Sequence, residues 1–375
     1  MSLIGARTER IDSLDFLRGI AISGVIAFHT LGIFHADAWF TKPAAYGFFG
    51  VQLFFIVSAL TMCTMWDRRR AEDHPALKFY VRRLCRIAGP FWIAILLYLW
   101  LAPPGFSDDA PEGIGGPEVI SSALFLHTLW VPWINSIVPG GWSIGIEVLF
   151  YVFFPLLIRA NGAPRFYLLV GLMMYLTNVF LVQPAGVHLL SAYANQVSVA
   201  NFLDRQFFYQ GPVFLIGIAL YKQIKAASTD WLGMAIVIVW LLLAFFAKSV
   251  GFRGASPGFW LPVFSMALLA YAIISIGFSW KPLASLGGIS YSVYLSHFAI
   301  LFCISAAFDW FSLSHTEVSS FFTALVLATL ASAVVGRFSR RLIEEPSSDV
   351  GRWIISRYGT RGPITTEISS AGRSE

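Results

Sequence analysis

The stretch LDFLRGIAISGVIAFHTLGIF, from Leu14 to Phe34, decides the fold. Its about 21 residues are enough for a helix to cross a hydrocarbon slab of about 30 Å. Yet it carries Asp15, Arg18 and His29. Arg18 and His29 are eleven residues apart. At ~100° per residue this is three turns plus about 20°, so both lie on one face, separated by roughly 16 Å along the axis. Ionisable groups inside a membrane are costly and mark function by default. Two on one stripe, at different depths, point to a path through the protein with chemistry at one end.

The rest of the chain extends this pattern. Of its 375 residues, 57% are hydrophobic and only 13% charged, and the mean hydropathy is +0.69. A soluble domain carries roughly a quarter charged residues. The expected class is therefore all-α, a polytopic membrane protein. The 34 phenylalanines and 13 tryptophans suit bilayer-facing and interfacial surfaces. Cys63, Cys85 and Cys303 show no metal or redox spacing and read as small buried hydrophobes. No small-residue cleavage site follows the first apolar run, which is expected to stay as an anchor.

Ten spans are expected, over 14–34, 47–66, 87–101, 142–158, 166–182, 207–221, 231–247, 260–278, 286–308 and 318–336. The apolar run 120–133 is short and broken by Pro132, and reads as a re-entrant or interfacial segment. Residues 1–346 form the transmembrane domain. Residues 347–375 form a polar tail whose last fifteen or so positions read as disordered. With this topology 22 lysines and arginines fall on the side of the N-terminus and four, Lys42, Arg205, Lys248 and Arg253, on the other. The bias places both termini in the cytoplasm. No internal repeat is visible, which counts against an inverted-repeat transporter.

Five constellations could carry chemistry. His29, in the outer half of the first span, suits a general base acting on a hydroxyl, or a histidine that bonds helices together. Arg18 can contact an anion, or pair with Asp15 at i+3. Arg82, Arg83 and Arg86 precede the third span, with Arg82 and Arg86 on one face. They suit bidentate phosphate binding or an ordinary positive-inside loop. Trp142, Ser143 and Glu147 open the fourth span. Glu147 needs a partner there, and His29 is the candidate, although Ser143 and Glu147 could also simply cap the helix. Ser290, Tyr294 and His297 form a polar stripe in the ninth span, either functional or interhelical glue. Glu344-Glu345-Pro346, among Arg337, Arg340 and Arg341, reads as a solvated or intraprotein salt-bridge cluster. No histidine pair has metal-ligand spacing, so no metal is expected.

Together these motifs resemble acyltransferase family 3, bacterial membrane proteins that O-acylate carbohydrates and related molecules. The resemblance runs from Leu14 to Pro346. Arg18 and His29 match its Arg-x10-His element, and Gly47, Gly50, Val51, Phe54, Phe55 and Ser58 match its Gly-x-x-Gly-Val-x-x-Phe-Phe-x-x-Ser element. Arg82, Arg83 and Arg86 match Arg-Arg-x-x-Arg. Trp142, Ser143, Glu147, Phe150 and Tyr151 match Trp-Ser-x-x-x-Glu-x-x-Phe-Tyr. Ser290, Tyr291, Tyr294, Leu295 and His297 match Ser-Tyr-x-x-Tyr-Leu-x-His. Two departures stand out: Ala59 replaces the usual glycine, and Ala88-Gly89 adds a residue before Pro90.

The resemblance implies an O-acyltransferase, an O-acetyltransferase above all, in the bacterial inner membrane. It implies no permanently bound cofactor. The donor would be a cytoplasmic acyl-CoA such as acetyl-CoA, and the acceptor a hydroxyl of a glycan or lipid-linked sugar on the far side. His29 would be general base or transient acyl carrier, supported by Glu147. Arg18, Arg82, Arg83 and Arg86 would hold donor phosphates. Asp15, Ser58, Trp142, Ser143, Ser290, Tyr291, Tyr294 and His297 would line the cavity. Expected partners are membrane lipids and polysaccharide-assembly proteins, not nucleic acid. The form expected is the one without an extra esterase-like domain. The rival classes are a permease for a sugar or lipid-linked intermediate, with His29, Glu147 and His297 as a proton relay, and a non-catalytic assembly scaffold.

Overall fold

The structure, a computed structural model, describes residues 3–101, 114–134, 137–226 and 228–358. These residues form sixteen α-helices and no strand. In chain order they are α1 (Leu3–Ile33), α2 (Thr41–Ala45), α3 (Gly50–Arg69), α4 (Pro75–Leu101), α5 (Gly116–Ala123) and α6 (Gly141–Arg159). Then come α7 (Pro164–Thr177), α8 (Gln183–Leu190), α9 (Gln196–Arg205), α10 (Phe207–Lys225) and α11 (Trp231–Ser249). The last are α12 (Pro257–Ile276), α13 (Lys281–Gly288), α14 (Ser290–Trp310), α15 (Val318–Ser339) and α16 (Glu345–Tyr358). Helices dominate because hydrocarbon offers no partner to an unpaired peptide group. Interior prolines at Pro90, Pro155, Pro212 and Pro262 are accommodated within four of them.

Among the described residues nine helical stretches are long and apolar enough to cross a membrane, where ten were expected. The sixth expected span, 207–221, lies in α10, which is helical over 19 residues but is not among the nine. The reason is its position. It packs between α3, α7 and α12, and Val213 to Ala219 are all buried. A helix surrounded by protein need not carry a lipid-facing surface, so Gln210 and Gly211 are tolerated in it.

Helix α1 runs against α3, α13, α14 and α15. Its contact with α13 is backbone on backbone. Gly19 abuts the Leu283 carbonyl and Gly287 abuts the Asp15 carbonyl, with no room for a Cβ at either. Small residues allow such approach, and in a bilayer close packing rather than water exclusion holds helices together. Gly47 and Gly50, two motif glycines, likewise meet Gly24 and Ala21 of α1. Ala59 sits opposite Gly217 of α10, so the methyl group that departs from the family pattern is received by a glycine on the neighbouring helix. Phe214 stacks on Phe55 at 4.4 Å and on Phe150 at 4.3 Å, joining α3, α10 and α6.

The charged loops gather at one end of the bundle. Asp67 accepts hydrogen bonds from Tyr221 Oη at 2.7 Å and from Lys225 Nζ. Lys222 Nζ donates to Asn161 at 2.8 Å, and Arg165 pairs with Asp230 at 3.3 Å. The segment 116–133 is α5 followed by two 3-10 turns, too short to cross. Trp92 Nε1 donates to its Ala123 carbonyl at 2.9 Å, and His127 Nε2 donates to the Gly141 carbonyl at 3.1 Å. The polar tail is partly regular: α16 folds back on α4, Ser347 bonding the Cys85 carbonyl and Gly351 packing on Cys85. The expected disorder beyond Tyr358 lies outside the described residues. The cysteines do not behave alike: Cys63 is buried, Cys85 half-buried and Cys303 exposed, as a lipid-facing residue would be.

Candidate active site

Residues from all five motifs, though not every motif residue, converge on one cavity of about 100 Å³ between α1, α3, α4, α6 and α14. Its polar lining is Arg18, Ser58, Thr61, Arg83, Arg86, Ser143, Glu147, Tyr151, Ser290, Tyr291 and Tyr294. Two further cavities adjoin it. One, of about 180 Å³, is lined by Arg69, Arg82, Arg83 and Trp66. The other, of about 560 Å³, is lined by Asp15, Arg18, Arg340, Glu344 and Arg352. Thr61 and Arg86 line all three, so the spaces meet at these two side chains.

The arginines are held individually. Arg18 is bonded to Asp15 on its own helix and donates to Thr61 Oγ1 at 2.5 Å. Arg86 Nε donates to Glu344 Oε1 at 3.3 Å, and Ser292 Oγ donates to the other Glu344 oxygen at 3.2 Å. With Nε committed, the two terminal nitrogens of Arg86 face the cavities, where its side chain is 41% accessible. Arg83 lies over the rings of Phe79 and Tyr151, at 5.8 and 5.7 Å. Such arginines, oriented through one edge or face, present the fork that suits phosphate oxygens.

The grouping keeps the expected helical face only in part, since Arg82 and Arg86 meet in the second cavity but not in the first. Arg82 turns to Glu72 at 2.6 Å and lines only the second cavity. Arg83 and Arg86, three residues apart, share the first. Glu147 also has other partners than expected. Its Oε1 accepts from Tyr151 Oη at 2.8 Å and from Ser58 Oγ. It is not hydrogen-bonded to His29. The physical reason is charge: Glu147 interacts electrostatically with Arg83 and Arg86, and a carboxylate in an apolar bundle goes to cations rather than to a neutral imidazole.

His29, Trp142 and His297 do not line the cavity, and Asp15 lines only the third. The ring of His29 lies 5.3 Å from that of His297 and 4.2 Å from Phe298. Trp142 lies edge-on to Phe55 at 6.3 Å, with the Arg205 guanidinium 6.0 Å above its ring. Tyr294 separates the cavity from the histidines. Its hydroxyl joins Ser143 Oγ at 2.9 Å and donates to the Gly140 carbonyl at 3.0 Å, while its ring is 5.6 Å from His297. Gly140 has φ +78°, and a Cβ there would meet the Tyr294 hydroxyl at 2.8 Å. Only glycine fits this turn. Tyr291 Oη donates to the Ile87 carbonyl at 2.9 Å, and Ser290 is buried beside it.

Two groups, Thr61 and Arg205, escaped the sequence reading as site residues, and Glu344, read only as part of a salt-bridge cluster, pairs with Arg86 at the cavity. Thr61 lies one turn after Ser58 on the same face of α3, a spacing that could have revealed it. Glu344 is only 7% exposed and sits in a π-helical turn, Arg340–Glu344, that no local pattern announces. Arg205 belongs to a loop helix, yet lies within electrostatic reach of His29 and Tyr294.

No solved structure gives a significant match to this chain. Among curated proteins it is similar to the O-acetyltransferase OatA of Staphylococcus aureus, 25% identical over 367 residues, covering 90% of this chain and 57% of the relative. It is also similar to the peptidoglycan O-acetyltransferase OatA of Listeria monocytogenes, 22% identical over 364 residues, covering 90% of this chain and 55% of the relative. The chain thus spans little more than half the length of these relatives. A family model described as an acyltransferase domain matches residues 11–337. That interval contains α1 through α15 almost entire and nearly every side chain of the central cavity, and the chain belongs to this acyltransferase family.

Proposed function

We propose that this protein is an O-acetyltransferase that carries an acyl group from a cytoplasmic acyl-CoA to a hydroxyl of an extracytoplasmic or lipid-linked glycan. The single observation behind it is the meeting of Arg18, Arg83 and Arg86 around one intramembrane cavity, closed on one side by Tyr294, next to His297 and His29. The end bearing the charged loops faces the cytoplasm, as do both termini, because basic loops stay on that side. The names of the relatives, two O-acetyltransferases, support the acetyl group.

In this reading the donor phosphates enter the larger cavities and are gripped by Arg86, Arg83 and Arg18, with Arg82 at the rim. The roughly 16 Å from Arg18 to His29 along α1 is a span that an extended pantetheine arm covers. Glu147 holds Arg83 and Ser58 in register rather than serving His29. His29 removes the proton from the acceptor hydroxyl as its oxygen bonds to the acyl carbon. The carbon–sulfur bond then breaks, and the proton passes from His29 to the thiolate. The products are the ester and the free thiol of coenzyme A.

Binding of coenzyme A to the purified protein in nanodiscs, measured by titration calorimetry, tests the donor half. Saturable binding that Arg86→Ala weakens at least tenfold is the expected result. No binding by wild type would remove acyl-CoA as donor and favour a permease.

A further inference from the structure

His297 is wholly buried on α14. Its Nδ1–H donates to the Tyr294 carbonyl at 2.6 Å. That bond fixes the tautomer, leaving the lone pair on Nε2. Nε2 is buried and has no hydrogen-bond partner among the described residues. A buried acceptor left unpaired is costly, so a donor is wanted at this point.

The ring beside it is His29, with centroids 5.3 Å apart. An imidazole nitrogen lies about 1.1 Å from its ring centre, so an N–H···N bond of about 3 Å holds two such rings about 5 Å apart. The ring centres are thus about as far apart as those of a bonded pair and are tilted by 39°, so a small rotation of the rings would bring a His29 nitrogen to Nε2. Phe298 packs on both, at 4.2 and 4.5 Å. The other polar groups facing the pair are the Arg205 guanidinium and Tyr294.

We propose that His297 is the positioning residue of His29: its Nε2 accepts a hydrogen bond from one ring nitrogen of His29, so that the lone pair of the other faces the acceptor hydroxyl. The proposal rests on the reading of His29 as the base. The N–H directed at His297 stays on His29 throughout. Only the opposite nitrogen gains the hydroxyl proton and returns it to the thiolate. The imidazolium formed in between is stabilised by its bond to His297, as second partners stabilise and orient catalytic histidines elsewhere. Tyr294 couples this pair to the cavity, since its carbonyl holds His297 and its hydroxyl closes on Ser143 and Gly140.

The test compares wild type with His297→Leu, His297→Gln and His29→Ala in nanodiscs, following thiol release from acetyl-CoA with a glycan acceptor. Leucine fills the space without an acceptor, whereas glutamine returns a carbonyl oxygen near Nε2. The Leu variant should lose about 10²-fold in kcat with KM for acetyl-CoA within twofold, and Gln should stay within about fivefold of wild type. Wild-type kcat in the Leu variant, or equal losses in both variants with raised KM, overturns the proposal. An inactive wild type, or full activity in His29→Ala, overturns instead the reading of His29 beneath it. Independently of folding of the Leu variant, the Nε2 resonance of His297 in ¹⁵N-histidine-labelled wild type should shift in His29→Ala; an unmoved resonance also overturns the proposal.

Discussion

Arg86 shows how one residue acquires its role. Glu344 takes its Nε and leaves the other two nitrogens to three adjoining cavities. Arg82, four residues earlier, is instead occupied by Glu72 and reaches only one of them. Arg86→Ala should therefore raise KM for acetyl-CoA about tenfold or more, the worth of a charge-assisted contact of about 1.5–3 kcal/mol, whereas Arg82→Ala should raise it less than threefold. Steady-state kinetics on both variants checks the contrast. Glu147→Gln keeps the shape but removes a negative charge within reach of Arg83 and Arg86, Arg86 keeping its ion pair with Glu344, and a fall of about 10²-fold in kcat/KM is expected. The identities of these residues were legible from spacing. Their partners were not, because a helical wheel places a side chain on a face but does not say which long side chain turns away. Arg83 and Arg86, three apart, share both the first and the second cavity, while Arg82 joins Arg86 only in the second.

Elements were easier to read than contacts. Each of the ten expected spans is mainly helical in the structure, although 286–308 is broken at Ile289 between α13 and α14, because runs of apolar residues bounded by charges and prolines leave little alternative in a bilayer. What hydropathy could not give was the setting of α10 within the bundle or the return of α16 onto α4, both decided by packing partners distant in sequence. The backbone contact of α1 with α13 is one such case. Gly287→Ala would drive a methyl group into the Asp15 carbonyl, and a loss of about 1–3 kcal/mol is expected, seen as a lowered melting temperature in detergent. The segment after α5 allows a test by pH. Burial pushes His127 down to about 4, against the opposing effect of its bond to the Gly141 carbonyl. Its ordinary value is about 6.5. The neutral form thus belongs to the fold: its contribution is complete above pH about 6.5 and is lost as pH falls towards 4, by at most about 3 kcal/mol. Thermal unfolding of wild type should weaken across that window, and His127→Gln should flatten the decline.

At the scale of the molecule, charge and cavity agree. The ion pairs of Asp67, Arg165 and Arg86 lie at the end where the cavities widen among Arg340, Glu344 and Arg352, and the two histidines lie on the far side of Tyr294. This separation of the arginines from the proposed base is what a two-sided transfer requires. It was legible in outline from the roughly 16 Å that an ideal helix puts between Arg18 and His29, since a helix converts sequence separation into depth. The gate between them was not, because it depends on Gly140, in a loop, meeting Tyr294 some 150 residues later. The measurement that bears most directly on the account is acetyl transfer by wild type and His29→Ala in nanodiscs, with [¹⁴C]acetyl-CoA and an oligosaccharide acceptor, alongside coenzyme A binding by both. The account predicts labelled ester from wild type, a loss of at least 10²-fold in the variant, and unchanged coenzyme A affinity. Equal ester formation by the two proteins would contradict it.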